Sequence, residues 1–256
     1  MAGSEAQIAP INTPIEIRQL FHLEEFEDVL QLQKTIWSFD DIELLPLRFL
    51  VVVSKVGGHV FGAYDAGRMI GFCFAIPGIK PDGRPYLHSH MLGVMPAYRN
   101  AQVGRRLKLR QREDALARGI SLIEWTFDPL ELKNANLNIE KLGAIVRRYS
   151  PNQYGTTSSP LHGGLPTDRC IAEWWIDSPR VHAVMQGAAR VPGTANRERI
   201  AYPFDIARIR EYNNALARDI QQANAQKFLE AFVRGLAVTG FEVGETEGTY
   251  LLEPWQ

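Results

Sequence analysis

The chain has 256 residues, 45% of them hydrophobic and 22% charged, with a formal net charge of -1. That composition suits a globular chain able to bury a core, as one large domain or a domain with an appendage. The near-neutral balance supplies no global field to select nucleic acid, and no run of about 18 apolar residues announces a membrane span. The opening residues MAGSEAQIAPINTP lack a basic region ahead of an apolar core, so they read as a frayed tail and not as a signal peptide.

The predicted elements follow in order. Residues 15–19 alternate apolar and polar as a half-buried strand does. Phe26, Val29, Leu30, Ile36 and Trp37 recur at helical spacing over 23–37, and a second helix is predicted over 47–55. The acids of the intervening loop, Asp40, Asp41 and Glu43, could face a cation or simply be solvated. Residues 59–64 and 69–76 read as strands joined by the turn DAGR, and 86–94 as a third strand after PDGRP. Cys73 and Cys170 each sit in an apolar strand-like run. They suit neither a disulfide framework nor a zinc site, and are expected buried and reduced, which favours the cytoplasm.

The stretch HSHMLGVMPAYRNAQVGRRLKLRQ, residues 88–111, organises the rest. Pro96 ends the strand, a short turn covers 99–104, and a helix runs from about 102 to 118. Arg105, Arg106, Lys108, Arg110 and Arg112 crowd its first half. Cations there oppose the helix dipole by about 0.3–1 kcal/mol each when exposed, and an anion held at the helix N-terminus would reverse that cost. Arg106 and Arg110 fall within the apolar arc, which a purely solvated basic face does not explain. Strands at 120–127, 144–149 and 169–175 follow, with a helix at 130–142 started by Asp128 and ended by Gly143. The helix between the strands at 86–94 and 120–127 implies a right-handed crossover and parallel pairing. The long connection at 150–168 is of the kind that carries function or disorder. Beyond Asp177 comes loop, then a long helix at 205–235 capped by Asp205, then a hairpin. Its stripe of Ile206, Ile209, Leu216, Ile220, Ala223, Leu229, Phe232 and Val233 is expected to cover the core; a second subunit, as in a homodimer, is the other surface that could bury it.

VMPAYRNAQVGRRL resembles the acyl-CoA-binding segment of the GNAT N-acyltransferases, usually [QR]-x-x-G-x-[GA] after a strand ending in V-x-P. Arg99 fills the first position and Gly104 the last, while Gln102 stands where the first glycine is usual. The order of elements over residues 15–176 is also that of the GNAT fold. The resemblance therefore implies an α/β (by some schemes α+β) GNAT domain at 15–176, a mixed central sheet flanked by helices. A C-terminal extension at 177–256, helix plus hairpin, would pack on it. It implies acetyl-CoA or succinyl-CoA as co-substrate with no metal, a small-molecule amine such as an amino acid as acceptor, and neither nucleic acid nor membrane as partner. The segments NANLN, KLGA, NQYG and LPTDR resemble a bacterial branch with members linked to amino-acid N-succinylation. A non-catalytic acyl-CoA-binding module is the alternative, favoured by Gln102 and by Ile139, which occupies the place of the family's acidic tyrosine.

On this resemblance the pyrophosphate is held by Arg99, Asn100, Ala101, Gln102, Val103, Gly104 and Arg105, and the pantetheine arm lies along Leu92, Gly93 and Val94. Asn134 contacts that arm. Gly93 either admits the ligand or makes room for a helix. His88 and His90 share a strand face by alternation and titrate near neutral pH, so either could deprotonate the amine; two histidines at i, i+2 lack a third ligand for a metal. Tyr149 and Tyr154 are candidates to protonate the leaving thiolate. Arg147 or Arg148, with Asn152, Gln153, Ser158, Ser159 and His162, could meet a succinyl carboxylate. Adjacent strand positions face opposite ways, so at most one of the arginines points into a cleft.

Overall fold

The computed structural model describes residues 14–155, 163–188 and 197–255. The tail at 1–13, and Ser158, Ser159 and His162 among the expected donors, lie outside them. The chain forms two compact units, one up to Ile123 and one from Glu124 onward. The fold is mixed α/β with mostly antiparallel sheet flanked by helices, the predicted class.

The first unit contains β1 (Glu16–Gln19), α1 (Leu23–Trp37), α2 (Leu47–Lys55), β2 (His59–Asp65), β3 (Arg68–Ile79), β4 (Pro85–Val94) and α3 (Val103–Ala117). Its strands pair antiparallel in the order β1-β2-β3-β4. The turn between β2 and β3 puts Ala66 and Gly67 at positive φ, the handedness that matches strand twist in tight hairpins. Alternation sorts the strand side chains into two faces. Val60, Phe72 and Phe74 pack with Phe26 and Val29 of α1 and Leu50 and Val53 of α2. Phe61, Ala63, Ile70 and Cys73 pack with Val103 and Leu107 of α3. Each large side chain fully buried this way contributes about 1.5–3 kcal/mol. Glu25 fixes the start of α1 by accepting from the amides of Phe21 (2.8 Å) and His22 (3.0 Å).

β5 (Leu122–Phe127) carries the chain into the second unit. There follow α4 (Leu132–Asn136), β6 (Ile145–Ser150), β7 (Arg169–Trp175), α5 (Pro179–Met185), β8 (Glu198–Pro203), α6 (Ile206–Tyr212), α7 (Asn214–Val233), β9 (Leu236–Val243) and β10 (Glu247–Pro254). The strand order is β5-β7-β6-β9-β10-β8. The C-terminal stretch thus continues this unit's sheet, because β9 pairs with β6 at Val238 and Val146. Beneath α7, Tyr149 and Phe228 stack at 5.4 Å and Tyr250 meets Phe228 edge-on at 5.3 Å.

The element order through β7 agrees with the sequence reading, while the C-terminal half departs from it. The expected helix at 205–235 is two helices broken at Asn213, whose backbone leaves the helical region (φ -147°, ψ 74°). Asp205 stands at the N-cap position of α6 without a side-chain cap bond, and α7 is capped by Asn213, whose side chain accepts from the Leu216 amide at 3.1 Å. The break resets the helical phase. The buried line of α7 is Ala217, Gln221, Asn224, Phe228 and Ala231, while Leu216 and Val233 of the expected stripe are 41% and 88% exposed. Two polar members of that line reach loop and strand carbonyls, Gln221 to Pro166 (2.9 Å) and Asn224 to Ala201 (2.8 Å). Residues 198–203 and 179–185, expected as loop, form β8 and α5. The helix expected at 130–142 is α4 followed by a wider π-type turn over Leu137–Lys141, ending where Gly143 takes φ 80°. Replacing the cap, Asn213→Ala, is expected to lower unfolding free energy by about 1 kcal/mol, read as a lower urea midpoint at unchanged slope; an unchanged midpoint would show that α7 needs no cap.

Candidate active site

The loop ahead of α3 is built by backbone handedness. After Val94 the Met95 amide still bonds the Ile70 carbonyl (2.9 Å), then Pro96–Tyr98 makes one tight turn. The Tyr98 hydroxyl donates to Asp65 at 2.8 Å and anchors that turn. Asn100 and Gln102 are both left-handed, at φ 67° and 60°, with Ala101 between them. Alternating handedness curls successive amides toward one side, a concavity suited to an anion. The first helical bond of α3 runs from the Arg106 amide to the Gln102 carbonyl (3.0 Å), so the Val103 and Gly104 amides precede the ladder. A Cβ on Gly104 would stand 3.3 Å from Leu92, so this glycine brings the helix start close to β4. Gln102 adopts the positive φ that a glycine there would take freely, at a cost of about 1–2 kcal/mol. Arg99 is exposed and Arg105 half-buried. Arg106 and Arg110 serve the fold: Arg106 donates to the Ile15 carbonyl at 2.5 Å, and Arg110 lies over the Phe61 ring while pairing with Glu113 at 3.2 Å.

β4 carries one residue more than β3 opposite it. Met91 pairs with Phe74 and Ser89 with Ala75, which leaves His90 as the extra residue of a bulge. His88 and His90 still share a face, their ring centroids 5.9 Å apart, with His90 also 5.4 Å from Phe74. Burial first, then neighbouring His90, Lys108 and Lys80, push His88 down to about 4. Desolvation also lowers His90, whose ring is shielded by Phe74 although the residue as a whole is exposed. Leu92 and Val94 are half-buried and pair with Cys73 and Gly71 of β3. Gly93 makes room for a helix: a Cβ there would stand 2.8 Å from Trp37 and 2.9 Å from Ile36, both on α1. Of the acids after α1, Asp41 pairs with Lys34 at 2.6 Å.

On the other side of β4 lies a buried polar cluster that the sequence reading missed. Lys108 Nζ donates to Ser89 Oγ (2.8 Å), and Ser89 Oγ donates to Gln111 Oε1 (2.9 Å). Nearby, His59 Nδ1 meets Asp114 at 2.8 Å, and Arg118 meets the same carboxylate at 3.2 Å. Burial holds Lys108 down at about 7 and lowers His59 despite Asp114. A signal was present: Gly104, Lys108, Gln111 and Ala115 recur at i, i+4, i+7 and i+11, the spacing of a helix's packed side.

In the second unit, Tyr149 is buried and its hydroxyl donates to Asp168 at 2.7 Å. Burial raises its pKa, and Tyr202 and Asp168 reinforce the shift, so Tyr149 is a core residue whose proton is engaged with Asp168. Tyr154 is 47% exposed, its hydroxyl 2.9 Å from Thr126 Oγ1 and its ring under Arg169. Asn134 is exposed, whereas Asn138, four residues on, is buried in the π-type turn and its backbone carbonyl accepts from the Ala144 amide at 2.9 Å. Ile139 is fully buried. Arg147 is the extra residue of a bulge in β6, so the rule of opposite faces fails and both arginines reach Glu173, Arg147 at 2.5 Å and Arg148 at 3.3 Å. Arg148 also meets Glu124 at 2.5 Å. A cavity of about 180 Å³ is lined by Arg147, Glu173, Trp175, Arg180 and Trp255 among others. Among the described residues no cluster of three or more His, Cys, Asp or Glu could hold a metal ion, and no helix is long and apolar enough to cross a membrane.

Two outcomes check this geometry. Gln102→Gly relieves the left-handed strain and returns part of it as unfolded-chain entropy, so a gain of about 0.5–1 kcal/mol is expected in chemical denaturation; a loss would show that the glutamine side chain stabilises the loop. Lys108 has a folded pKa of about 7 against 10.5 for the unfolded chain, so the unfolded chain binds more protons between those values. Stability should therefore rise with pH across pH 7–10.5, by a few kcal/mol in order of magnitude. Measured against Lys108→Met at each pH, the wild type gains through this window; parallel curves would remove the shift.

A model of the Acetyltransferase (GNAT) family matches residues 17–143. No curated protein matches the chain. Among solved structures, a GNAT-family acetyltransferase from Streptococcus pneumoniae superposes with TM-score 0.52 at 14% identity, over 62% of this chain and 98% of that one. The ribosomal-protein-S18-alanine N-acetyltransferase of Escherichia coli gives 0.51 at 18% identity, over 64% and 96%. Arabidopsis thaliana NAA60, in complex with a bisubstrate analogue, gives 0.51 at 15%, over 63% and 98%. At these identities the likeness is one of fold. The family match adds what the fold alone leaves open, and over residues 17–143 the chain is a member of the GNAT acetyltransferase family.

Proposed function

We propose that the protein is an acyl-CoA-dependent N-acyltransferase that moves an acetyl or succinyl group to a small-molecule amine, with amino acids among the acceptors. The observation that carries the reading is the pair of left-handed residues Asn100 and Gln102, set directly ahead of the α3 amides that precede the helical ladder, within the family-matched segment. Val103 and Gly104 amides with the Arg99 and Arg105 side chains would hold the pyrophosphate, and the β4 backbone at Leu92–Val94 would hold the pantetheine arm. Acyl-CoA supplies a thioester whose C–S bond breaks as the amine forms the new C–N bond.

His88 and His90 stand on one face to take the amine's proton. Burial lowers both imidazoles, His88 to about 4, so His88 is assigned as the hydrogen-bond acceptor that orients the amine and His90, more exposed, as the proton acceptor. Of the two tyrosines, Tyr154, exposed and with its hydroxyl beside Thr126 Oγ1, is the better candidate to return a proton to the thiolate. Transfer is direct, since the thiols of Cys73 and Cys170 are buried. Arg147 and Arg148 share their charge with two buried acids, which supports acetyl over succinyl as donor; Arg147 in the wall of the cavity is the feature that favours succinyl. A buried Ile139 and a Tyr149 engaged with Asp168 support the second reading, a non-catalytic acyl-CoA-binding module.

The test is turnover of acetyl-CoA and succinyl-CoA against a panel of amino acids and other amines, with thermal unfolding in free CoA alongside. A CoA-dependent rise in Tm, abolished by Arg99→Glu with Arg105→Glu, is expected because CoA binds the folded state, together with turnover of at least one amine. Binding without turnover selects the non-catalytic module, and no shift at tens of micromolar CoA removes both readings. A donor preference that Arg147→Ala leaves unchanged excludes a succinyl site at that arginine.

A further inference from the structure

β4 has to absorb one extra residue opposite β3, and the backbone alone does not say where. Moving that residue, or slipping the strand by one position, turns the intervening side chains to the other face. In the observed phase Ser89 faces α3, while His88 and His90 face the α1 and α2 side with Phe74. Ser89 heads a row across the sheet, Ser89 to Ala75 to His59. Its hydroxyl accepts from Lys108 and donates to Gln111, and all three residues are buried. A buried hydroxyl engaged twice resists being turned away, because turning it breaks both hydrogen bonds inside the core. An imidazole in its place would have to displace the Lys108 ammonium. Gly93 under α1 resists a slip of the whole strand, and the polar contacts under α3 discriminate between positions of the extra residue among His88, Ser89 and His90.

We propose that Lys108, Ser89 and Gln111 are positioning residues: their hydrogen-bonded pin sets the phase of β4 and so presents His88 and His90 together on the opposite face. The proposal rests on the reading that these histidines serve acyl transfer, but its first readout needs no turnover. In the wild type the two rings are close enough for a nuclear Overhauser effect between their protons, their centroids being 5.9 Å apart; His88→Gln and His90→Gln assign the signals.

The triple variant Ser89→Ala, Lys108→Met, Gln111→Leu replaces the whole pin with apolar groups of similar shape, so that no member of the pin is left facing a missing one. It is expected to unfold cooperatively yet show no Overhauser effect between the rings. Its kcat should fall about 10²-fold, the range for loss of a positioned base, with the KM for acyl-CoA unchanged. Ser89→Thr, which keeps the hydroxyl, keeps the Overhauser effect. A folded triple variant that retains it overturns the proposal. Should the triple variant fail to fold, Ser89→Ala alone decides by the same signal: its disappearance supports the pin and its persistence overturns it. Disappearance of the signal in the variant, where the wild type acylates no amine, would uphold the pin and sink the acyltransferase reading instead.

Discussion

In the first unit everything hangs on β4 being packed from both sides. α1 and α2 close one face of the sheet and α3 the other. A strand in that position cannot carry bulk at every residue, and the sequence shows where it yields. Gly93 gives its face to Trp37 and Ile36, Ser89 gives the other face to Lys108 and Gln111, and the bulge at His90 lets both sides pack without shared spacing. The same strand ends at the loop that turns into α3. The left-handed turn at the start of that helix and the histidine face of the strand are thereby joined through one continuous segment of backbone.

Polar groups are buried in this molecule where two elements must meet in one register. Lys108 and Gln111 meet Ser89 under α3, His59 meets Asp114 beside them, and Tyr149 meets Asp168 beneath α7. Gln221 and Asn224 on α7 reach the carbonyls of Pro166 and Ala201. Apolar contacts alone tolerate sliding by a turn or a pleat, since they have no direction. A buried donor that must find one acceptor does not, because leaving it unmet costs about 1–3 kcal/mol.

Periodicity makes the element order legible, because strands that alternate and helices with an apolar arc leave their marks in any order of packing. The loop at 99–104 is legible in part: Gly104 fills its place in the motif and does bring helix and strand close, whereas Gln102 hides its left-handed backbone behind an ordinary side chain. What stays hidden shares one cause, a local shift of phase that no residue type announces. The break at Asn213 rotates the whole buried line of α7, the extra residue Arg147 puts two neighbouring arginines on one acid, and the π-type turn buries Asn138 while Asn134 stays exposed. Tyr149 escapes for a different reason. A tyrosine in a strand gives no hint of whether its hydroxyl reaches solvent or a carboxylate such as Asp168.

The two cysteines lend the chain a property apart from its chemistry. Each sulfur is sealed in a core, Cys73 beneath α3 and Cys170 within the second unit, and burial drives the Cys73 thiol to about 12 and Cys170 well above the ordinary range. A thiolate is what alkylating reagents attack, so the native chain is silent toward them and each sulfur answers only when its own surroundings open. Because one lies in each unit, the two labelling rates form a pair of independent clocks for local opening, built into the natural sequence. Any cysteine added at the surface for a probe would react alone.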